Sequence, residues 1–371
     1  MQPKTVEHLH ICFVAPFAYS ILSGKNFRNC GGAEVQQVLI AESIKDKVGK
    51  ISFIVDDRDL QVQEIINGKN IIPCPFRYFG GSKWHYLKDT IKLFLVLRSI
   101  SPDLILLKTP RSLLLALRIY RSFSNLKIIK LTAHDSDFHI IGNWYQKLIY
   151  KAGMSGVDHY VYQSDYQKSI GDKQKLSGTI IKNIIHSPRG NKKDDKFNTD
   201  VLWVGKNIRR KNPELFIKIA EYMPEFQFAM ISAEGNDVDY NNQIKNSASL
   251  VSNLTYLGQV EYDKTWRYFN DTKLLLHTSY SEGFPNVFLQ AWQCEVPVIT
   301  YNIDLDQIIQ KNNIGIVTHS FNEIIKETKG MLKNNERRKE YGREGKQYVE
   351  HAHNYEFISS NYLRLFRQFT C

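Results

Sequence analysis

Short apolar runs alternate with longer helical segments along almost the whole chain, and one polar segment interrupts the alternation. Six strand-like runs precede it, from LHICFVAP to GTIIKNII, and six follow it, from DVLWVGK to GIVTHS. Strands that alternate with helices of about ten to fifteen residues predict βαβ units and parallel, doubly wound sheets. The interruption at 186–200, HSPRGNKKDDKFNTD, is rich in Pro, Gly and charge, which is typical of an interdomain linker.

We therefore expect two Rossmann-like α/β domains that face each other across a cleft. A chain of 371 residues fits two domains of this size. The predicted domains are 1–186 and 187–354, and a C-terminal helix at 355–371 is expected to pack back on the first domain. In such sheets, ligands bind outside the carboxyl ends of the strands, so the loops that follow the strands should line the cleft.

The amino-terminal segment MQPKTVEHLHICFVAPF has no charged region followed by a long apolar run, so we interpret it as a first strand and not as a signal peptide. The longest apolar runs, LFLVL and SLLLAL, are far shorter than the roughly 20 residues that cross a bilayer. The five cysteines are scattered and form no Cys-x-x-Cys pair, which indicates reduced thiols. We expect a cytoplasmic protein.

The net charge of +11 is distributed unevenly. Residues 1–186 contain 25 Lys and Arg against 15 Asp and Glu, whereas the remainder contains 24 against 23. A basic first half predicts an anionic partner, which could be nucleic acid, a membrane surface or a phosphorylated substrate.

Two loops combine features that suit phosphate groups. Gly31 and Gly32 precede a predicted helix, whose amino end favours an anion, although they do not match Gly-x-Gly-x-x-Gly and could form an ordinary turn. The second loop follows a strand that ends at Gly205 and precedes a helix that begins near Pro213. Its four cations suit a diphosphate, with a solvated basic turn as the alternative. These cations are Lys206, Arg209, Arg210 and Lys211.

The segment HTSYSEGFPNVFLQAWQ is the most specific in the sequence. A strand leads into a Gly-Phe-Pro turn, and the following helix points its amino end back toward the same place. Glu282 on the loop and Gln290 in the helix can then face one ligand, while the first helical amides bind its phosphate. Glu282 as a stabilising charge at the helix start is the structural alternative. The candidate residues are Glu282, Gly283, Phe284, Pro285, Asn286, Val287, Phe288 and Gln290.

A third loop follows the strand that we expect to end at His134. Asp135, Asp137 and His139 come next, so two His and two Asp lie in a short span that could bind a metal ion. This spacing does not establish a defined ligand geometry, and we predict no metal site.

Three segments resemble the motifs of GT-B glycosyltransferases of family four, the glycosyl transferases group 1. They are GGAEVQQ, VGKNIRRKNPELFI and SYSEGFPNVFLQAWQCEVPVI, and they occur in the expected order over nearly the whole chain. The resemblance implies two Rossmann-like domains, with a nucleotide-sugar donor held mainly by the second domain and the acceptor by the first. It also implies a retaining hexosyl-type transferase that uses a UDP- or GDP-sugar and needs no metal ion.

The resemblance also implies roles for individual residues. Lys206, which stands where an Arg is common, and Lys211 would neutralise the donor diphosphate, and Glu282 would contact the hydroxyls of the transferred sugar. His134 is similar to a position that bonds this sugar near its anomeric carbon. The glycines and helix amides would surround the donor. The donor-binding positions implied are Gly31, Gly32, Gly205, Arg210, Gly283, Phe284, Pro285, Asn286, Val287, Phe288 and Gln290.

Two positions depart from the family pattern. Gln290 stands where a second Glu typically holds the nucleotide ribose, and Glu295 stands where Gly is usual. A Gln can accept one ribose hydroxyl, but it lacks the charge-assisted bond, a difference of about 1 kcal/mol. A catalytically silent homologue that binds sugar or stabilises a partner is therefore the alternative function.

The basic first half also bears on the acceptor. KWHYLKDTIKLFLVLRS and PRSLLLALRIYRSF predict helices with one apolar side and several cations, which can lie on an anionic membrane close to a lipid-linked acceptor. Core helices with solvated cations are the alternative. We expect a cytoplasmic enzyme, or one peripheral on the inner face of the cell membrane, that extends a bacterial surface polysaccharide. No nucleic-acid recognition motif or aromatic stacking platform occurs, so we expect no nucleic-acid partner.

Overall fold

The computed structural model describes residues 4–24, 31–76, 83–108, 113–138, 143–186 and 199–370. The chain divides into two compact units: unit 1 contains Met1–Ile184 and Tyr355–Cys371, and unit 2 contains Ile185–Asn354. Residues 187–198 of the predicted linker lie outside the described residues, as does His139 of the third loop.

The described elements alternate between strand and helix almost throughout. The strands are β1 His10–Val14, β2 Lys50–Asp56, β3 Glu64–Ile66, β4 Lys69–Cys74, β5 Leu104–Leu107, β6 Lys127–Leu131, β7 His159–Tyr162, β8 Gly178–Ile180, β9 Thr199–Lys206, β10 Phe228–Ala233, β11 Leu254–Gly258, β12 Thr272–His277, β13 Val298–Tyr301 and β14 Gly315–Thr318. The α-helices are α1 Tyr19–Ser23, α2 Gly32–Ile44, α3 Lys83–Ile100, α4 Leu113–Arg121, α5 Trp144–Met154, α6 Asp165–Lys173, α7 Pro213–Tyr222, α8 Val238–Ser249, α9 Tyr262–Asn270, α10 Asn286–Gln293, α11 Ile308–Asn312, α12 Phe321–Lys333, α13 Asn335–Ala352 and α14 Tyr355–Arg367.

Unit 1 contains a sheet with the strand order β3-β4-β2-β1-β5-β6-β7-β8. All of its described pairs are parallel except β3 with β4. The chain runs from β1 toward β2 on one side and continues from β5 toward β8 on the other, so the sheet is doubly wound. Helix α14 also belongs to this unit, where the Ser359 hydroxyl donates to the Ser43 carbonyl of α2 at 2.7 Å.

Unit 2 contains a fully parallel sheet with the order β11-β10-β9-β12-β13-β14. Neighbouring residues of β9 pack into two different clusters, because successive side chains of a strand point to opposite faces. Leu202 contacts the cluster that contains Trp292, whereas Val201 and Trp203 contact the cluster that contains Phe216. Both faces are buried, which explains the continuous apolar runs of these strands.

The predicted fold class, two Rossmann-like parallel α/β sheets, is confirmed. All twelve predicted strands are present, and the structure adds the hairpin β3-β4. This hairpin turns at Asn67 and Gly68, which both have positive φ. No described helix combines the length and the apolar composition needed to cross a bilayer.

Candidate functional site

Glu282 is the centre of a charged cluster in unit 2. It lies on the loop between β12 and α10, and only 8% of it is exposed. The Lys211 ammonium donates to its Oε1 at 2.5 Å, and Arg210 Nη1 lies 3.3 Å from its Oε2. A third neighbour, His277 at the end of β12, places Nε2 3.5 Å from the same Oε1. Three basic side chains therefore surround one buried carboxyl group.

The charges of this cluster fix the protonation state of Glu282. Burial alone would raise the pKa of its carboxyl, but Lys211, His277 and Arg210 outweigh burial and hold the pKa well below its usual range. Burial lowers the pKa of His277, and Lys211 and Arg210 lower it further, against the opposing effect of Glu282. At neutral pH the site thus contains a carboxylate, two cations and a neutral imidazole.

Hydrogen bonds join the basic turn to the loop that carries Glu282. The Thr278 hydroxyl lies 2.9 Å from the carbonyl oxygens of both Lys211 and Asn212, and it accepts a bond from the Trp203 indole at 2.9 Å. In addition, the Tyr280 amide donates to the Arg210 carbonyl at 2.9 Å. Because these hydrogen bonds hold the two loops together, Lys211 and Glu282 meet although 71 positions separate them.

The basic turn has a defined shape. Residues Arg209–Lys211 form a 3-10 helix, and Asn212 has a positive φ of 50° before α7 begins at Pro213. Gly205 lies against the Trp203 ring, where an added Cβ would approach a ring carbon to 2.5 Å. The glycine therefore allows the close approach of strand and indole. Lys206 ends β9, and its ammonium makes no ion pair with any residue that the structure describes.

Gln290 faces helix α9. Its side-chain amide donates to Thr265 Oγ1 at 3.0 Å, and the Thr265 hydroxyl donates to the Tyr262 carbonyl at 2.6 Å. The Gln290 side chain is 4% exposed, and its Oε1 makes no hydrogen bond within the described part of the chain. An amide fits this arrangement because it donates to Thr265, which a carboxylate at position 290 could not do.

The Gly-Phe-Pro turn contributes packing as well as backbone. Phe288 is buried and meets the His277 ring edge-on, with 4.8 Å between the ring centroids, and Phe284 lies 5.2 Å from the His353 ring. Both phenylalanine side chains belong to a core cluster of unit 2. Helix α10 begins at Asn286 after Pro285, as the sequence predicts, so in this turn the backbone near Gly283 and Val287 is the part suited to contact a ligand.

The remaining predicted residues lie in unit 1. Helix α2 begins at Gly32 with Gly31 as its N-cap, and the Gly31 amide donates to Glu34 Oε2 at 3.2 Å. The strand that we expected to end at His134 ends at Leu131. The reason is local: the Asp137 carboxylate accepts bonds from the amides of Ala133 and His134 and turns the chain.

Sequence reasoning missed His277, which makes the third contact with Glu282. The motif HTSYSEG contains it, but its position at the end of a predicted strand gave no sign of a role beyond packing. Its Nδ1 lies 3.1 Å from the Thr300 hydroxyl, and the ring is buried. The residues that the structure describes include no group of three or more His, Cys, Asp or Glu arranged to hold a metal ion.

Comparison with protein families assigns unit 2. Residues 185–348 match the family described as glycosyl transferases group 1, a span that covers nearly all of this unit. Unit 2 is a glycosyl transferases group 1 domain. Its basic turn and the loop of Glu282 are thus parts of a domain found in enzymes that transfer sugars.

Two curated proteins are similar to parts of the chain. The alpha-galactosylglucosyldiacylglycerol synthase of Streptococcus pneumoniae is 28% identical over 116 residues, which are 30% of this chain and 31% of that protein. The uncharacterized glycosyltransferase MJ1178 of Methanocaldococcus jannaschii is 25% identical over 232 residues, 59% of this chain and 62% of that protein. The chain thus spans less than two thirds of the length of either relative.

Solved structures resemble the chain over nearly its full length. Sucrose-phosphate synthase from Thermosynechococcus elongatus has a TM-score of 0.79 at 16% identity, covering 97% of this chain and 99% of that chain. Anabaena Alr3699/HepE, solved in complex with UDP-glucose, has a TM-score of 0.75 at 14% identity, covering 97% of this chain and 100% of that chain. At these identities the similarity concerns the fold, which is the GT-B fold.

Proposed function

We propose that the protein is a retaining, metal-independent glycosyltransferase that moves a hexosyl unit from a UDP- or GDP-sugar to a glycan or lipid-linked acceptor. The observation that carries this proposal is the buried Glu282 carboxylate, held by Lys211 and Arg210 within a glycosyl transferases group 1 domain. The carboxylate can accept hydrogen bonds from sugar hydroxyls, while the two cations beside it bind a diphosphate.

The charges of the cluster match the charges that develop in the reaction. Breaking the anomeric bond leaves positive charge on the sugar and negative charge on the departing diphosphate. Lys211, Arg210 and Lys206 supply positive charge for the leaving group, together with the amino end of α10. Glu282 accepts hydrogen bonds from the sugar hydroxyls. The acceptor then attacks the same face of the sugar, and the leaving phosphate takes the acceptor's proton.

Nucleotide release tests this proposal without knowledge of the acceptor, because transferases of this kind can also pass a sugar slowly to water. Wild-type protein, Glu282→Ala and Glu295→Ala are each incubated in EDTA with UDP- and GDP-sugars. Glu295 is a matched control, since it lies in an exposed ion pair with Lys346 at 2.7 Å. We expect release by the wild type and the control and none by Glu282→Ala. Equal release by all three would contradict the proposal.

A catalytically silent homologue remains the alternative, and the side chain of Gln290 is the observation that favours it. Its side-chain amide donates to Thr265, at the position where the family resemblance implies a carboxylate. The buried Glu282–Lys211 pair favours the enzyme instead, because a decayed site should lose these residues first. Nucleotide-sugar binding without release or transfer would support the silent homologue.

The proposal also includes a membrane-bound acceptor, because unit 1 exposes apolar side chains beside cations. On α3, Leu87, Ile91 and Leu95 recur every four residues and are 49%, 51% and 63% exposed. The exposed Lys88 and Lys92 flank this row. An apolar row bordered by lysines suits the interface of an anionic membrane.

Exposed aromatic side chains also occur on α5 and directly after α4. Phe94 on α3 contacts Tyr120 on α4 with 5.3 Å between the ring centroids, so the two helices are adjacent. Trp144 on α5 and Phe123 after α4 are 78% and 85% exposed. Helices α3, α4 and α5 together contain eight Lys or Arg and a single acidic residue, Asp89, which is buried. We propose that this surface binds the anionic inner face of a bacterial cell membrane and gives access to a lipid-linked acceptor of surface polysaccharide synthesis.

Vesicle flotation tests the membrane surface. Ile91→Gln/Leu95→Gln should reduce the fraction bound to vesicles of anionic phospholipid by about tenfold or more, because each aliphatic side chain gains roughly 1 kcal/mol or more from the interface. The matched control is Val62→Gln/Ile65→Gln, which changes two exposed aliphatic residues near β3. Loss of binding in both double variants, or in neither, would contradict a specific role for α3.

A further inference from the structure

A buried lysine lies at the point where the sheet of unit 1 changes direction. The strand order places β1 beside β5, and the chain extends from this pair toward β2 on one side and toward β6 on the other. Ligands of such sheets bind at the carboxyl ends of the strands on either side of this point. Lys108 directly follows β5 at this edge.

Lys108 is buried, and its ammonium has no partner among the described residues. Only 4% of the residue is exposed, and its Nζ makes no hydrogen bond or ion pair with any residue that the structure describes. Lys130 on β6 is a useful comparison, because it is 3% exposed but donates to the carbonyl oxygens of Lys108 and Leu131. The backbone therefore satisfies one buried lysine of this edge, while no described residue accepts a hydrogen bond from the other.

The charged groups that act on Lys108 come from three elements. They are Lys130 on β6, Asp137 in the 3-10 turn after β6, and Glu34 in the first turn of α2. Burial, reinforced by Lys130, lowers the pKa of Lys108 to about 7, against the opposing effect of Asp137 and Glu34. Both carboxylates also accept hydrogen bonds from backbone amides. Asp137 accepts bonds from the amides of Ala133 and His134, and Glu34 accepts one from the amide of Gly31.

A buried ammonium without a partner is unfavourable, because its desolvation is not compensated. An ammonium has three hydrogen-bond donors and no acceptor, so the group that binds it must accept hydrogen bonds. An anion would also neutralise its positive charge. Glu34, whose charge acts on Lys108, lies in the first turn of α2, and the amino end of a helix favours negative charge.

We infer that Lys108 binds an anionic group, a phosphate or a carboxylate, of a ligand held at the carboxyl edge of the unit 1 sheet. Lys108 belongs to unit 1, whereas the cluster around Glu282 belongs to unit 2. If the proposed transferase activity holds, this ligand is the acceptor, and an acceptor with an anionic group is preferred over a neutral glycan.

The test is an NMR titration of the full chain carrying 13C at the lysine Cε positions. The resonance that is absent from Lys108→Met reports Lys108, and sulfate and acetate serve as probes for phosphate and carboxylate. Sulfate keeps its charge through the neutral range, so any pH dependence of binding belongs to the protein. The matched control is Lys50→Met, which removes an exposed lysine at the opposite edge of the same sheet.

We expect saturable movement of the Lys108 resonance with at least one probe. A response to sulfate alone or to acetate alone would identify the anion class. Affinity should fall as the pH rises above about 7, because binding requires the protonated amine. Lys108→Met should weaken the affinity of the protein for that probe by at least about tenfold, and Lys50→Met should not. A resonance that neither probe moves would overturn the inference.

Thermal unfolding without added anion provides a second readout. Removal of an unpaired buried charge should leave the melting temperature of Lys108→Met no lower than that of Lys50→Met. A lower melting temperature would assign Lys108 a structural role and would also overturn the inference. Neither measurement depends on sugar transfer, so failure of this inference and failure of the proposed function are distinguishable.

Discussion

Glu282→Gln should separate nucleotide binding from sugar transfer. In the free protein, the Glu282 carboxylate neutralises part of the charge of Lys211 and Arg210. The amide replacement keeps a carbonyl oxygen that can accept a bond from Lys211, but it removes the negative charge. A nucleoside diphosphate should therefore bind the variant more tightly, whereas transfer should fall because the sugar hydroxyls lose a charged acceptor.

The expected gain in affinity follows from the distances. A phosphate oxygen bonded to the Lys211 ammonium at about 2.8 Å lies within about 5 Å of the Glu282 oxygen, which is 2.5 Å from the same nitrogen. Two unit charges about 5 Å apart repel by about 3 kcal/mol at an effective dielectric constant of about 20 and by about 0.8 kcal/mol in water. The site lies between these limits, so removal of the repulsion should tighten binding by about 1–2 kcal/mol, or roughly tenfold.

Isothermal titration calorimetry of UDP and GDP in EDTA measures this change. Glu295→Gln is the matched control, because it removes an exposed carboxylate that is paired with Lys346, and it should bind as the wild type does. Nucleotide release from the donor sugar should fall by at least about tenfold in Glu282→Gln, in keeping with the loss of a hydrogen bond to a charged group. Folded Glu282→Gln with weaker diphosphate binding than the wild type would refute the proposed competition for Lys211.

Three further substitutions test other parts of unit 2. Gln290→Glu should tighten nucleotide binding about fivefold through a charged bond to the ribose, as measured by calorimetry, while Gln293→Glu on the same helix should not; equal effects would refute a role for position 290. His277→Gln should flatten the fall in unfolding free energy below about pH 6.5 by up to about 1.4 kcal/mol per pH unit. The reason is that burial lowers the pKa of the native histidine, so the unfolded state takes up the proton first. Parallel pH profiles of the wild type and the variant would contradict this. Gly205→Ala should lower the unfolding free energy by about 1–3 kcal/mol through the clash with Trp203, and unchanged denaturant unfolding would contradict that contact.

The fold was predictable because its strands are buried on both faces and therefore form unbroken apolar runs. The hairpin β3-β4 was missed because β3 is only three residues long and partly exposed, and β4 contains Pro73. Its turn could nevertheless have been predicted, since Asn-Gly between two apolar runs is a strong hairpin signal. In the structure, Asn67 and Gly68 both have positive φ. The end of β6 was misplaced because the Asp137 bonds that end it depend on a side chain several residues farther along.

The site was predictable to the extent that short motifs carry it. The loop motifs led to Glu282 and Lys211, but no pattern within either motif determines that the two side chains meet, because tertiary bonds such as that of Thr278 produce the contact. The surroundings of His277 and Lys108 could not be predicted for a related reason. Each lies at the end of an apolar strand, and only the structure shows what surrounds its charge.

The anomeric outcome of donor cleavage tests the central proposal most directly. A UDP- or GDP-sugar of known α configuration is mixed with the full chain in EDTA, and the free sugar is followed by 1H NMR before its anomers equilibrate. We predict that the α anomer forms first with the wild type and that Glu282→Ala releases no sugar. First formation of the β anomer would contradict retention, and the absence of cleavage with every donor would contradict a working transferase site.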